Sequence, residues 1–136
     1  VANAVYAKAK QSLLNGEINT NSSNYRVILL DKNIYTPNMS SDQYLSDISS
    51  NAIRGVSVNL NNVTSTNGIL DADDIVIDHD GSAFEAMAIY QVGSSDLNSR
   101  LILYIDDSDG LPFAGSNFSL PITIFWSNTI SKILSL

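Results

Sequence analysis

The chain contains no cysteine among its 136 residues, which excludes disulfide staples, thiolate metal centres and cysteine nucleophiles together. Charge is scarce as well. Charged residues make up 15% of the sequence and hydrophobic ones 44%, so Asn, Ser and Thr must clothe the surface, and the chain is too apolar for disorder. Lys and Arg number 7 against 14 Asp and Glu. The bases, Lys8, Lys10, Arg26, Lys32, Arg54, Arg100 and Lys132, form no run, and a net charge of −7 repels phosphate backbones, so no nucleic-acid partner is expected. No stretch approaches the roughly 20 apolar residues of a membrane span, and Val1-Ala2-Asn3-Ala4-Val5-Tyr6-Ala7-Lys8 lacks a basic leader ahead of an apolar run. Neither membrane anchorage nor export is expected.

A chain of this length buries roughly 68–70% of its unfolded surface around one core, so a single domain spanning residues 1–136 is expected. Ala2, Val5, Tyr6, Ala9 and Leu13 recur at three- and four-residue steps and predict a helix over about residues 2–15, ended by Gly16. Tyr25-Arg26-Val27-Ile28-Leu29-Leu30 is an apolar run too short for a buried helix and predicts a strand. Pro37 interrupts the chain, and residues 42–48 predict a one- or two-turn helix with Tyr44, Leu45 and Ile48 inward. The period then becomes two: Val56, Val58 and Leu60 alternate with Ser57 and Asn59, the pattern of a half-buried antiparallel strand.

Residues 61–68 read as a polar connection, Ile75-Val76-Ile77 as a brief strand, and Asp80-Gly81 as a turn. Residues 84–92 are nearly all apolar and Leu101-Ile102-Leu103-Tyr104-Ile105 wholly so, which predicts a central hairpin covered on both faces and joined through residues 93–99. Phe118, Leu120, Ile122, Ile124 and Trp126 alternate, but Pro121 cannot donate to a ladder, so that strand lies at an edge or begins after it. Residues 130–136 are apolar to the last and predict a docked final strand. The fold class expected is mainly β (α+β): an antiparallel β-sandwich or barrel with an N-terminal helix packed at one side.

Reactive chemistry is hard to assemble from these residues. The one histidine, His79, sits between Asp78 and Asp80 and reads as an exposed turn residue, because no nucleophile elbow, phosphate loop or zinc motif accompanies it. Asp106-Asp107-Ser108-Asp109-Gly110 resembles part of a calcium loop, with Asp107 and Asp109 the best-placed ligands. With Gly110 at the sixth loop position, however, Ile105 and Ser116 fall where acids are needed. Asp71-Ala72-Asp73-Asp74 reads as a solvated turn, and the four N-x-[ST] triplets at Asn21, Asn38, Asn62 and Asn117 are given no role. No enzyme activity, cofactor or metal is expected. Among the aromatics, Tyr90, Tyr104 and Trp126 lie in apolar strands and read as core, whereas Tyr35, beside Thr36-Pro37, reads as surface.

Several segments, taken in order, resemble a known family. They are Asn3-Ala4-Val5-Tyr6, Arg26-Val27-Ile28-Leu29-Leu30-Asp31, Tyr35-Thr36-Pro37-Asn38, Leu45-Ser46-Asp47-Ile48, Asp71-Ala72-Asp73-Asp74, Ser99-Arg100-Leu101-Ile102 with Tyr104-Ile105-Asp106, Gly110-Leu111-Pro112, and Trp126-Ser127-Asn128 with Lys132-Ile133. Across nearly its whole length the chain is similar to small structural proteins of tailed-phage virions. Where members tend to carry W-D-N-G, this chain has Trp126-Ser127-Asn128-Thr129, which removes a turn glycine from the last hairpin. The resemblance implies a virion part without catalytic residues, best matched by a capsid decoration (cement) protein. Such a protein, made in the host cytoplasm, binds the outer surface of the major capsid protein shell and copies of itself. A tail or head-tail connector subunit and a host-adhesion or carbohydrate-binding module are the alternatives. Val5, Tyr6, Leu13, Tyr35, Ile133 and Leu136 are the interface candidates, because terminal segments can reach across a subunit junction.

Overall fold

A computed structural model of the chain describes residues 3–19, 24–67, 69–107, 111–115, 121–124 and 134–135. The elements in chain order are β1 (Ala4–Val5), α1 (Ala7–Leu14), β2 (Tyr25–Leu30), β3 (Ile53–Val56), β4 (Thr64–Thr66), β5 (Ile69–Asp71), β6 (Ile75–Ile77), β7 (Ala86–Gln91), β8 (Arg100–Ile105), β9 (Ile122–Ile124) and β10 (Leu134–Ser135). They form a five-stranded sheet in the order β1-β8-β7-β2-β3, a three-stranded sheet β10-β5-β4 and a two-stranded sheet β6-β9. All pairs are antiparallel. The architecture is mainly β, of α+β type, with one helix packed at one side.

The apolar runs occupy the middle of the large sheet, as their composition demands. β7 and β8 form the expected central hairpin, and β2 pairs with β7 from Tyr25↔Gln91 to Leu30↔Ala86. Val27, Ile28, Leu29, Leu30, Ala88, Ile89 and Leu101 have no exposed surface. Each such aliphatic side chain larger than alanine contributes about 1.5–3 kcal/mol by leaving water. β6 carries its alternation cleanly, with Ile75 and Ile77 buried and Val76 outward. The strand containing Pro121 begins after it, at Ile122. The expected final strand is present over Leu134–Ser135, paired with β5. Phe118 and Trp126 lie outside the described residues.

The N-terminus departs from expectation. Instead of a helix from residue 2, Ala4 and Val5 pair with Tyr104 and Leu103, and the Tyr6 N–H donates to the Ile102 carbonyl at 3.0 Å. The open edge of β8 offers ladder partners that an early helical turn would forgo. Asn3 locks the arm: its Oδ1 accepts from the Asp106 and Asp107 amides, each at 3.0 Å, and its Nδ2 donates to the Asp107 carbonyl at 2.9 Å. The helix starts only at Ala7, whose N–H is satisfied by the Met39 carbonyl at 2.9 Å. Its buried positions are therefore Ala9 and Ser12.

The alternation expected around Val56 holds only at Leu60, which is buried, while Val56 is 44% exposed. Ser57 is 4% exposed and Val58 68%, because Ser57 enters the ladder beside β2. Its N–H donates to the Val27 carbonyl, and its Oγ accepts the Val27 N–H at 2.9 Å while donating to the Val58 carbonyl at 2.7 Å. The expected helix at 42–48 is a single 3-10 turn, Leu45–Asp47. Asp47 draws the Gln43 and Tyr44 N–H groups onto one carboxylate oxygen there, and Leu45 and Ile48 are buried as expected. Within the polar stretch 61–68, β4 pairs with β5 from Thr66↔Ile69. Asn67, at φ +54°, turns the chain in the left-handed region that Asn tolerates.

Candidate functional site

The N-terminal interface candidates separate by burial. Tyr6 is fully buried where β1 meets α1, and Val5 and Leu13 are half-buried against the core. Tyr35 is buried rather than surface-exposed. Its hydroxyl donates to Asp42 Oδ2 at 2.7 Å and lies 3.0 Å from the Tyr6 hydroxyl. The one Tyr35 proton goes to the carboxylate, so Tyr6 is the donor to Tyr35. Asp42 Oδ2 also accepts the Asn38 N–H at 2.9 Å. Proline in the following turn had suggested an exposed loop, but the phenol is drawn inward to close this chain. Ile133 and Leu136 lie outside the described residues.

Burial raises the Tyr6 and Tyr35 hydroxyls well above the ordinary phenol value, and for Tyr35 the hydrogen-bonded contact with Tyr6 adds to the rise. Burial, with the charge of Asp106 second, pushes Tyr104 up to about 12. All three phenols are therefore neutral near pH 7 and supply no base. The Tyr6–Tyr35–Asp42 chain ties the start of α1 to the loop ahead of the 3-10 turn. Its chemistry is positional.

A cavity of about 140 Å³ opens between the large sheet and the β6-β9 pair. Among the described residues, Phe84, Met87, Leu111, Phe113, Ile122 and Ile124 line it, with Thr123 the single polar contribution and no titratable side chain. Phe84 and Phe113 stack at 4.8 Å and exchange two backbone hydrogen bonds of 3.1 and 2.8 Å. His79 backs onto this pair, 5.3 Å from the Phe113 ring and 6.2 Å from Phe84.

His79 is thus not the exposed turn residue its neighbours suggest: it is 7% exposed. The reason lies in β3. A Cβ at Gly55 would come within 2.7 Å of the Asp78 carbonyl and 3.5 Å of His79 Cβ, so the absent side chain lets residues 78–79 settle onto the sheet. His79 Nδ1 accepts the Gly81 N–H at 3.0 Å. No serine or other nucleophile meets it in the contacts of this corner.

Among the described residues, neither acidic stretch gathers into a cation cage. Asp106 pairs with Lys32 at 3.1 Å, and the backbone of Asp107 is taken up by Asn3. Asp109 lies outside the described residues. Asp71 belongs to β5 and Ala72 is buried, so residues 71–74 are more than a solvated turn. Among the described residues, no three His, Asp or Glu side chains converge as a metal ion requires. Among them, too, no helix is long and apolar enough to cross a membrane.

What the surface does offer is a set of exposed apolar side chains, of which Val58 was expected to face inward and Leu14 and Leu97 were not singled out. Leu14 is 89% exposed, Leu97 74% and Val58 68%. The exposure of Leu14 follows from the face that α1 presents, since of two consecutive leucines only Leu13 can turn to the core. Compared with known proteins, the chain matches no family model and no curated protein.

Proposed function

We propose that the chain is a structural component of a tailed-phage virion, a non-enzymatic capsid decoration protein bound to the outer surface of the major capsid protein shell and to copies of itself. The observation that carries this reading is the ordered resemblance along nearly the whole sequence. Among the described residues, the buried tyrosines are hydrogen-bonded or packed in the core, and the cavity lining is apolar apart from Thr123. A net charge of −7 favours the outside of a shell filled with DNA over its inner face.

Docking in this reading uses exposed apolar residues set in a polar surface, as protein interfaces do. Leu14, Leu97 and Val58 replace the buried Tyr6 and Tyr35 as the contact residues. A tail or head-tail connector subunit is the second reading, and copy number separates the two. A host-adhesion module is less favoured, because Tyr6, Tyr25, Tyr35, Tyr90 and Tyr104 are buried and cannot stack on sugars. Quantitative mass spectrometry of purified particles tests the proposal. On the order of hundreds of copies per particle is the expected result for a symmetric shell, and a handful of copies moves the chain to the tail or connector.

A further inference from the structure

A local device recurs in this fold: a side chain closes a tight turn by accepting the backbone N–H two residues further on. Asp31 takes the Asn33 N–H at 2.8 Å, Asp80 the Ser82 N–H at 2.9 Å, and Asn38 the Ser40 N–H at 3.3 Å. His79 does the same for Gly81 at 3.0 Å with Nδ1. Carboxylates and amides keep their acceptor at any pH from about 5 to 8, and an imidazole nitrogen does not. With Nδ1 accepting, the neutral ring carries its proton on Nε2. A second proton must go onto Nδ1, which then faces a backbone donor with a donor of its own.

We propose that His79 is a proton-operated latch: protonation of Nδ1 releases the Gly81 N–H and loosens the corner formed by residues 78–84 and 111–115. Gly81 is held at φ +84°, and Gly115, at φ +91°, approaches so closely that a Cβ there would lie 2.9 Å from the Gly81 carbonyl. A shift at Gly81 therefore transmits to the segment carrying Phe113, one wall of the cavity. Among the described residues, the charged groups near the ring are few. Asp78 and Asp80 flank it on its own loop, and β3 contributes Gly55 against its Cβ together with the adjacent Arg54, whose charge reaches Asp80. The other packed segments present the Phe84 and Phe113 rings. The Asp80 carboxylate already accepts the Ser82 N–H at 2.9 Å and does not replace Nδ1 as the acceptor for Gly81. The inference is independent of any role in a virion.

Solution NMR of the full chain, titrated from about pH 7.5 to about pH 5, tests it. The Gly81 amide, corrected for intrinsic exchange, is expected to lose protection roughly three- to tenfold, the loss of one hydrogen bond, with the same midpoint as the His79 ring. Phe113 and Gly115 are expected to shift with it. Constant Gly81 protection across the His79 titration overturns the proposal, as does a loss of protection at an unrelated pH. His79→Asn keeps an acceptor that does not titrate, and its Gly81 amide is expected to stay flat; a fall matching the native one also overturns the latch. Should that variant not fold, the native titration decides alone.

Discussion

Ser57 illustrates how one hydroxyl can set the phase of a strand. Its Oγ stands in for a main-chain carbonyl opposite Val27, so Ser57→Ala leaves a buried N–H unsatisfied and is expected to cost about 1–3 kcal/mol in denaturant unfolding. Tyr35→Phe similarly takes the acceptor from Tyr6 and a donor from Asp42, with an expected loss of about 1–3 kcal/mol. The pH dependence follows from particular residues. The N–H of Asn33, with Arg54 second, lowers the Asp31 carboxyl, and the N–H of Ser82 lowers Asp80. Their stabilisation is present above the ordinary carboxylate value near 4 and is lost as pH falls through their lower folded values. Asp31→Asn with Asp80→Asn is therefore expected to flatten the acid limb of a stability profile. Tyr104 acts with the opposite sign, raised to about 12: its contribution is complete below about pH 10 and lost as pH climbs through the folded value. None of these roles was legible in the sequence, because alternation assigns faces by hydrophobicity and cannot foresee a serine that bonds to a neighbouring strand. His79 was misplaced for a related reason, since the space it fills depends on Gly55 in a distant segment.

Among the elements, the strands were the most legible. The runs at 25–30, 84–92 and 101–105 announce themselves by their nearly unbroken apolar residues, and such runs are buried wherever they pair. The helix starts later than its stripe suggests, although Ala9 and Leu13 keep their inward face, because Val5 and Tyr6 fit a helical stripe and a strand edge equally well, and the available edge of β8 decided between them. Leu13→Ala is expected to destabilise the chain measurably, whereas Leu14→Ala, at an exposed position, is expected to stay within about 0.5 kcal/mol; thermal unfolding of the two variants compares them. The β4–β5 hairpin had a signal in Asn67-Gly68, a dipeptide suited to tight hairpins, hidden by the polar character of both flanks. Asn67→Val is expected to destabilise that hairpin by roughly 1–2 kcal/mol, since a β-branched residue resists positive φ.

For the molecule as a whole, the proposed role requires that the fold stand on its buried network and that partners be met through Leu14, Val58 and Leu97. Replacing all three with Asp is expected to leave the unfolding midpoint nearly unchanged while lowering occupancy on particles. A core role for any of them would lower stability instead. Of the interface candidates read from the sequence, Tyr6 and Tyr35 are buried, because a helical stripe and a loop position do not reveal the hydroxyl contact that draws both inward. Cryo-electron microscopy of the intact particle whose genome encodes this chain tests the central claim most directly. The account predicts ordered density for the chain on the outer face of the shell, repeated with its symmetry and touching capsid subunits through exposed apolar side chains. Mature particles that lack the chain altogether would contradict it.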